Sequence, residues 1–435
     1  MNWREQYKDR LLSPAEAAAQ IRSGDVICTA MSCGIPYLFL DALADRAMEL
    51  EDVTLHEITM SKPSKILNPR FNGHIRTVSL FFNLVERTCK SAGIDISFQP
   101  LHLNCVSGIR SIAPKATVAA AVGTPPDENG MISLGPCPMR ADIAGQVDRF
   151  LVQINEKLPY IRGEQGMVHV DEVDLLVDGT ESIYYQQPVP VTETEEQIGS
   201  YIVDLVPDGA CIQLGIGSVG TAVGSMLRDK KDLGIHTEMF VEAMMELIRC
   251  GAVNNSKKAV CPGVSIFGFA GGSKELFDFL DHNDAVESRP FDFVNDPRVI
   301  AQNPNAVSIN SALQVDLTGQ VCAESIGFQQ YSGTGGQGDF IRGAAWSPGG
   351  KSFIAFPSSR VDKKGQRHSK ITLALPLGSA VTTPRTDVQY IVTEYGIADL
   401  RGASLEQRAK RLIAIAHPDF RDSLRSEAKQ AGLIL

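Results

Sequence analysis

Three groups of residues have types and spacing that chemistry could use. The first is Gly215-Ile216-Gly217-Ser218-Val219-Gly220, a GxGxxG run placed after the apolar stretch 210–214 and before Thr221-Ala222-Val223-Gly224-Ser225-Met226-Leu227. Between a strand and a helix, such glycines let the backbone approach a diphosphate, and the helix N-terminus offers amide donors. The second is Glu238, at the end of the next apolar stretch and eighteen residues past Gly220. A dinucleotide-binding fold holds its ribose acid at about that spacing, so this pair reads as an NAD-dependent oxidoreductase or as a structural tight turn followed by a strand-end acid. The third is Ser332-Gly333-Thr334-Gly335-Gly336-Gln337-Gly338-Asp339-Phe340, with four glycines in six positions. That density either turns a hairpin or lets main-chain N–H groups converge on an oxyanion or phosphate. His236 shares a strand face with Glu238 by the period of two, either as a core histidine or as an activator of water.

The elements that must hold these groups follow from the hydrophobic pattern. Strand-like runs at 25–29, 53–59, 97–101, 116–121, 173–178, 210–214 and 235–240 alternate with helix-like segments such as 14–22, 37–49 and 219–228. Alternation of this kind predicts an α/β fold with largely parallel sheets. The sharpest break is Tyr184-Tyr185-Gln186-Gln187-Pro188-Val189-Pro190, followed by acids, and it predicts two domains, 1–187 and 188–435. Each half opens alike. A helix leads to Arg22-Ser23-Gly24-Asp25 or Pro207-Asp208-Gly209, then to a strand and a glycine turn. A matching strand follows some thirty residues later, Leu55-His56-Glu57-Ile58 in one half and Ile235-His236-Thr237-Glu238 in the other. Two copies of one α/β unit predict a site between domains.

Composition limits the function classes. The chain has 435 residues, 43% hydrophobic and 21% charged, and 41 Lys and Arg against 51 Asp and Glu leave a net charge of −10. Such a surface repels phosphate backbones and anionic membranes, so neither nucleic acid nor membrane is an expected partner. The longest apolar stretches, such as 118–122 and 371–377, fall far short of the roughly 20 residues of a bilayer span. The charged first ten residues have no apolar h-region, which predicts a cytoplasmic protein. Nine cysteines, an odd count, sit mostly in apolar surroundings and read as reduced thiols. With no CxxC or HExxH and eight scattered histidines, no metal site is expected.

Taken together, several motifs resemble one family. They are Gly215-Ile216-Gly217, His236-Thr237-Glu238-Met239, Val294-Asn295-Asp296-Pro297-Arg298-Val299-Ile300-Ala301-Gln302, Ser308-Ile309-Asn310-Ser311, the 333–340 loop and Thr393-Glu394-Tyr395-Gly396-Ile397-Ala398-Asp399-Leu400. With Pro125-Pro126-Asp127-Glu128-Asn129-Gly130, Arg401-Gly402 and Ile415-Ala416-His417-Pro418-Asp419-Phe420-Arg421, the similarity runs nearly end to end. The chain is similar to the acetyl-CoA hydrolase/transferase family, and within it to the branch of 4-hydroxybutyrate and butyryl-CoA:acetate CoA-transferases.

That resemblance implies two similar tandem α/β domains of the CoA-transferase family I type with the active site between them. It implies Glu238 as a nucleophile that passes through a glutamyl-CoA thioester in ping-pong fashion. A glutamate with a reference pKa of about 4.3 is ionised at neutral pH. It further implies Asn295 bonded to that carboxylate, Gly335 and Gly336 as oxyanion donors, and Gly215, Gly217, Gly333 and Gly338 toward coenzyme A. Coenzyme A and its acyl thioesters are then substrates, small carboxylic acids the other partners, and no tightly bound cofactor is needed. A homo-oligomer, dimer or tetramer, is implied as well. One departure is the run Phe240-Val241-Glu242-Ala243-Met244-Met245-Glu246-Leu247, where the family often has a glycine-containing step. Met31 and Met60, at the ends of successive first-domain strands, are either an adaptable wall of an acyl pocket or plain core. A dicarboxylate such as succinate or itaconate would need a cation, for which Arg140, Arg162 and Arg298 are the candidates. An acyl-CoA hydrolase and a non-catalytic CoA-binding protein are the remaining readings, the latter disfavoured by the intact Glu238.

Overall fold

The computed structural model describes residues 2–106, 108–139, 141–163, 166–187 and 189–435, which leaves Arg140 and Pro188 outside the described residues. The chain folds as two compact units, Met1–Gln186 with Ile266–Phe293, and Gln187–Ser265 with Val294–Leu435.

The first unit is built on eight strands whose neighbours are all parallel. Their order is Leu11–Leu12, Leu175–Asp178, Arg149–Ile154, Val118–Gly123, Val26–Thr29, Val53–Glu57, Ile75–Ser79 and Ile96–Phe98. Val118–Gly123 is buried at every position, as a central parallel strand covered on both faces must be. The helix Tyr37–Asp45 lays Phe39, Leu40 and Leu43 into a core with Ile27, Leu55 and Leu151. Ser13 and Asn83 start their helices through reciprocal capping boxes with Glu16 and Glu86, which satisfy the first free amides of each helix.

The segment 266–293 is held to this unit by backbone bonds. Ala270 N donates to Pro136 O at 2.7 Å, Gln186 N to Gly272 O at 2.8 Å, His282 N to Tyr160 O at 2.9 Å and Ser288 N to Arg162 O at 3.0 Å. The second unit is therefore discontinuous in sequence, where a single cut at 187/188 would have made it continuous.

In the second unit the strands run in the order Gly234–Phe240, Cys211–Leu214, Ala306–Asn310, Lys351–Ala355 and Tyr390–Thr393, all parallel. The hairpin strand Gly396–Asp399 closes that side antiparallel. Its core gathers Val315, Ile341, Ile354, Ile391 and Leu412. The repeat read from sequence is a repeat of topology: Val26–Thr29 and Cys211–Leu214 each lie between the strand that follows them and a strand reached much later. In such open sheets ligands gather beyond the carboxyl ends of strands, where the order reverses. No helix among the described residues is long and apolar enough to cross a membrane.

Candidate active site

The second unit brings its singular residues together at that reversal point. Along Gly234–Phe240 every residue is buried except Glu238, which is only partly so. Parallel pairing aligns Ile212 with Ile235, and continuing that register by three residues sets Gly215 level with Glu238. The chain then turns into the helix Ser218–Met226 through Gly217, whose φ of +115° suits a residue without Cβ. Close approach explains the other glycines: a Cβ on Gly220 would strike Gly215 O, and one on Gly224 would meet Ala243 Cβ at 2.5 Å. The GxGxxG run is thus a strand-to-helix turn packed from beneath, with open space on the outer side of Gly217.

Glu238 is held from two directions. Asn295 is fully buried between the short helices Phe291–Val294 and Pro297–Ile300, and its Nδ2 donates to Glu238 Oε2 at 2.8 Å. The Gly336 N–H, at the start of the helix Gln337–Trp346, donates to the same carboxylate. A Cβ at Gly336 would overlap both Asn295 Nδ2 and Glu238 Oε2, so only glycine fits there. Gly335 contributes differently, taking φ +58° to turn the loop. Gly333 lies buried earlier in the loop and Gly338 is buried in the first helical turn. The loop is anchored at Glu324, whose carbonyl accepts from Tyr331 N at 2.8 Å and Ser332 N at 3.0 Å.

Electrostatics modify the sequence expectation for the nucleophile. Crowding by protein pushes the Glu238 carboxyl up to about 7, against the pull of the Asn295 and Gly336 bonds toward the charged form. Rather than fully ionised at neutral pH, it is poised near half-ionisation, because an isolated reference value contains no desolvation. His236 is fully buried, with Nε2 2.7 Å from Val294 O and Nδ1 3.3 Å from Asn303 Nδ2. Burial and the Lys258 ammonium push it down to about 3, so it stays neutral and without access to water.

The remaining expected residues fall elsewhere. Met31 and Met60 are both buried in the first unit. Met60 belongs to the core with Ile66 and Phe71, and its N–H donates to Glu86 Oε1 at 2.8 Å. A cavity of about 40 Å³ opens at the strand ends of the first unit, lined by Thr29, Ala30, Ile58, Phe291 and Arg289 among others, and by neither methionine. No sequence signal marked Arg289, which comes from the segment 266–293 and pairs with Glu287 at 2.8 Å. Of the three candidate arginines, Arg298 is exposed and bound to Asp296 at 2.8 Å, and Arg162 is paired with Asp284. Arg140 lies outside the described residues.

Residues 1–190 match the acetyl-CoA hydrolase/transferase N-terminal domain and residues 272–428 the C-terminal domain of the same family. The chain is 39% identical over 434 residues to the succinyl-CoA:cyclohexane-1-carboxylate CoA transferase of Geobacter metallireducens, covering 100% of this chain and 98% of that one. It is 39% identical over 435 residues to the 4-hydroxybutyrate coenzyme A transferase of Clostridium kluyveri, covering 99% and 100%. The crystal structure of RipA from Yersinia pestis matches it with a TM-score of 0.91 at 38% identity over 100% of both chains.

Proposed function

Because the chain belongs to the acetyl-CoA hydrolase/transferase family and is an acyl-CoA:carboxylate CoA-transferase, we propose that Glu238 carries the transfer as a covalent nucleophile. The observation that carries this reading is the Glu238 carboxylate held by Asn295 Nδ2 and the Gly336 amide at a strand end. The ionised carboxylate attacks the thioester carbonyl and expels CoA thiolate, which leaves an acyl-glutamyl anhydride. The thiolate then attacks the glutamyl carbonyl and releases the first acid, giving a glutamyl-CoA thioester. An acceptor carboxylate reverses both steps and leaves with CoA, so the kinetics are ping-pong. While the glutamyl carbon is tetrahedral its oxyanion lies against the same two donors, and removal of one such donor costs about 10²–10³ in kcat.

The acids are short-chain monocarboxylates such as acetate, butyrate or 4-hydroxybutyrate in this reading. A dicarboxylic donor is the second reading, favoured by the succinyl-CoA in the name of the Geobacter relative. Nine free thiols and an acidic surface suit a reducing cytoplasm, and the family resemblance supports a homo-oligomer. CoA and acyl-CoA serve as substrates with no further cofactor.

The test is intact-protein mass spectrometry after mixing with acetyl-CoA, butyryl-CoA or succinyl-CoA. A covalent CoA adduct in the wild type that is absent from Glu238→Ala is the expected result. Unchanged turnover in Glu238→Ala would refute the assignment. Release of CoA without any added carboxylate would instead indicate hydrolysis.

A further inference from the structure

We infer that His236 is a positioning residue, which fixes the Val294–Asn295 backbone so that Asn295 presents its amide to Glu238. The inference rests on the reading of Glu238 as nucleophile. His236 and Glu238 lie two apart on one strand and so point to the same face. They engage consecutive residues of the facing turn, His236 Nε2 the carbonyl of Val294 at 2.7 Å and Glu238 Oε2 the side chain of Asn295 at 2.8 Å. The strand thereby grips the turn at two adjacent points.

The hydrogen-bond network fixes the tautomer. Asn303 is fully buried, and its Oδ1 accepts from Ala259 N at 3.1 Å and Val260 N at 3.0 Å. Its amide nitrogen must therefore face His236 Nδ1, which acts as the acceptor and leaves the proton on Nε2 for Val294 O. With Nδ1 occupied and the ring enclosed, no lone pair is free to activate water.

Asn295 needs this support. Its Oδ1 finds no partner among the described residues, so no second bond of its own side chain sets the direction of the amide. The direction then follows from the backbone position, and the Val294 carbonyl is where that backbone is held. A chain of bonds thus runs from the 259–260 amides through Asn303 and His236 to the turn, and from there to the nucleophile.

The experiment measures kcat, KM for butyryl-CoA and the single-turnover rate of CoA-adduct formation on the full chain. The variants are His236→Leu, His236→Gln, His236→Asn, Asn295→Ala and the double His236→Leu/Asn295→Ala. His236→Leu is expected to lower kcat and the adduct rate about 10- to 100-fold, up to the loss of one donor, with KM changed by less than about twofold. Gln, long enough to donate to Val294 O, should recover most of the rate, and Asn, too short to reach, should not. In the Asn295→Ala background the Leu substitution should cost less than about threefold more, because the two residues act as one unit.

Additive losses, or Gln no better than Asn, would overturn the inference. Where His236→Leu does not fold, the Gln and Asn comparison decides. Glu238→Ala separates the two levels: if it still forms the adduct, the nucleophile reading fails. If it is inactive while the His236 and Asn295 losses add, only the positioning role fails.

Discussion

At the scale of single residues, the proposed chemistry turns on a carboxylate that its surroundings hold near half-ionisation. In the proposed mechanism Glu238 acts only when deprotonated, and burial pushes it up to about 7. The value of kcat/KM should therefore rise about tenfold per pH unit below that point and level off above it. Asn295→Ala removes a donor that favours the charged form, so its rising limb should move to higher pH. Rate profiles of both proteins between pH 5 and 9 check this, and a wild-type limb centred near the usual value for glutamate would contradict it. The position of Glu238 was legible in the sequence, at the end of an apolar strand that follows the 215–220 glycine turn, while its proposed role came only from the family resemblance. Its ionisation was not legible, because desolvation is set by groups distant in sequence. The glycines divide in the same way. Their density announced converging amides, but only the fold shows that Gly336 is required for space beside Asn295 and Glu238, and Gly335 for its φ of +58°.

At the scale of elements, the first unit carries a buried acid pair where a strand and a helix meet. Glu57 closes Val53–Glu57 and Glu86 caps the helix Leu84–Ser91, both fully buried. Glu86 accepts from Met60 N at 2.8 Å and Asn83 N at 2.9 Å, whereas Glu57 is approached by the Ser79 hydroxyl but has no partner in good hydrogen-bond geometry among the described residues. Burial pushes Glu86 up to about 7, and burial together with the charge of Glu86 pushes Glu57 well above the carboxylate range. Folded values raised above unfolded ones mean that the folded state keeps protons the unfolded chain releases. Stability from this pair is fully present below about pH 4.3 and falls as pH rises through 7, by up to about 1.4 kcal/mol per pH unit for each proton. Glu57→Gln, neutral throughout, should flatten that fall and be more stable than the wild type at pH 8. Urea midpoints of both proteins at pH 5 and pH 8 measure it, and parallel pH dependence would exclude the pair as the cause. The strand Val118–Gly123, buried on both faces, was visible as an apolar run. Ile75–Ser79 was not, because Arg76 and Thr77 interrupt its run and its burial only alternates.

At the scale of the whole chain, the two α/β units could be read from repeated openings, but the crossing of residues 266–293 could not. That stretch, with the strands Ser265–Ala270 and Val286–Ser288 around the helix Lys274–Leu280, reads as one more strand–helix–strand module of the second half. Its backbone bonds to Pro136, Tyr160, Arg162 and Gln186 nevertheless hold it to the first unit. A polypeptide of residues 1–187 should accordingly lack a cooperative thermal transition and be rapidly proteolysed, and co-expression with 188–435 should restore both folding and activity. A sharp melt of 1–187 alone would show that the segment is dispensable. The same discontinuity sets a schedule for synthesis. A ribosome releases the chain from its N-terminus, and domains ordinarily fold in that order. Here the last segment of the earlier unit, 266–293, is made only after 187–265 of the later one has emerged. The two units therefore mature side by side, and a nascent chain stalled anywhere between 187 and 265 presents an unfinished first unit to the chaperones that meet it.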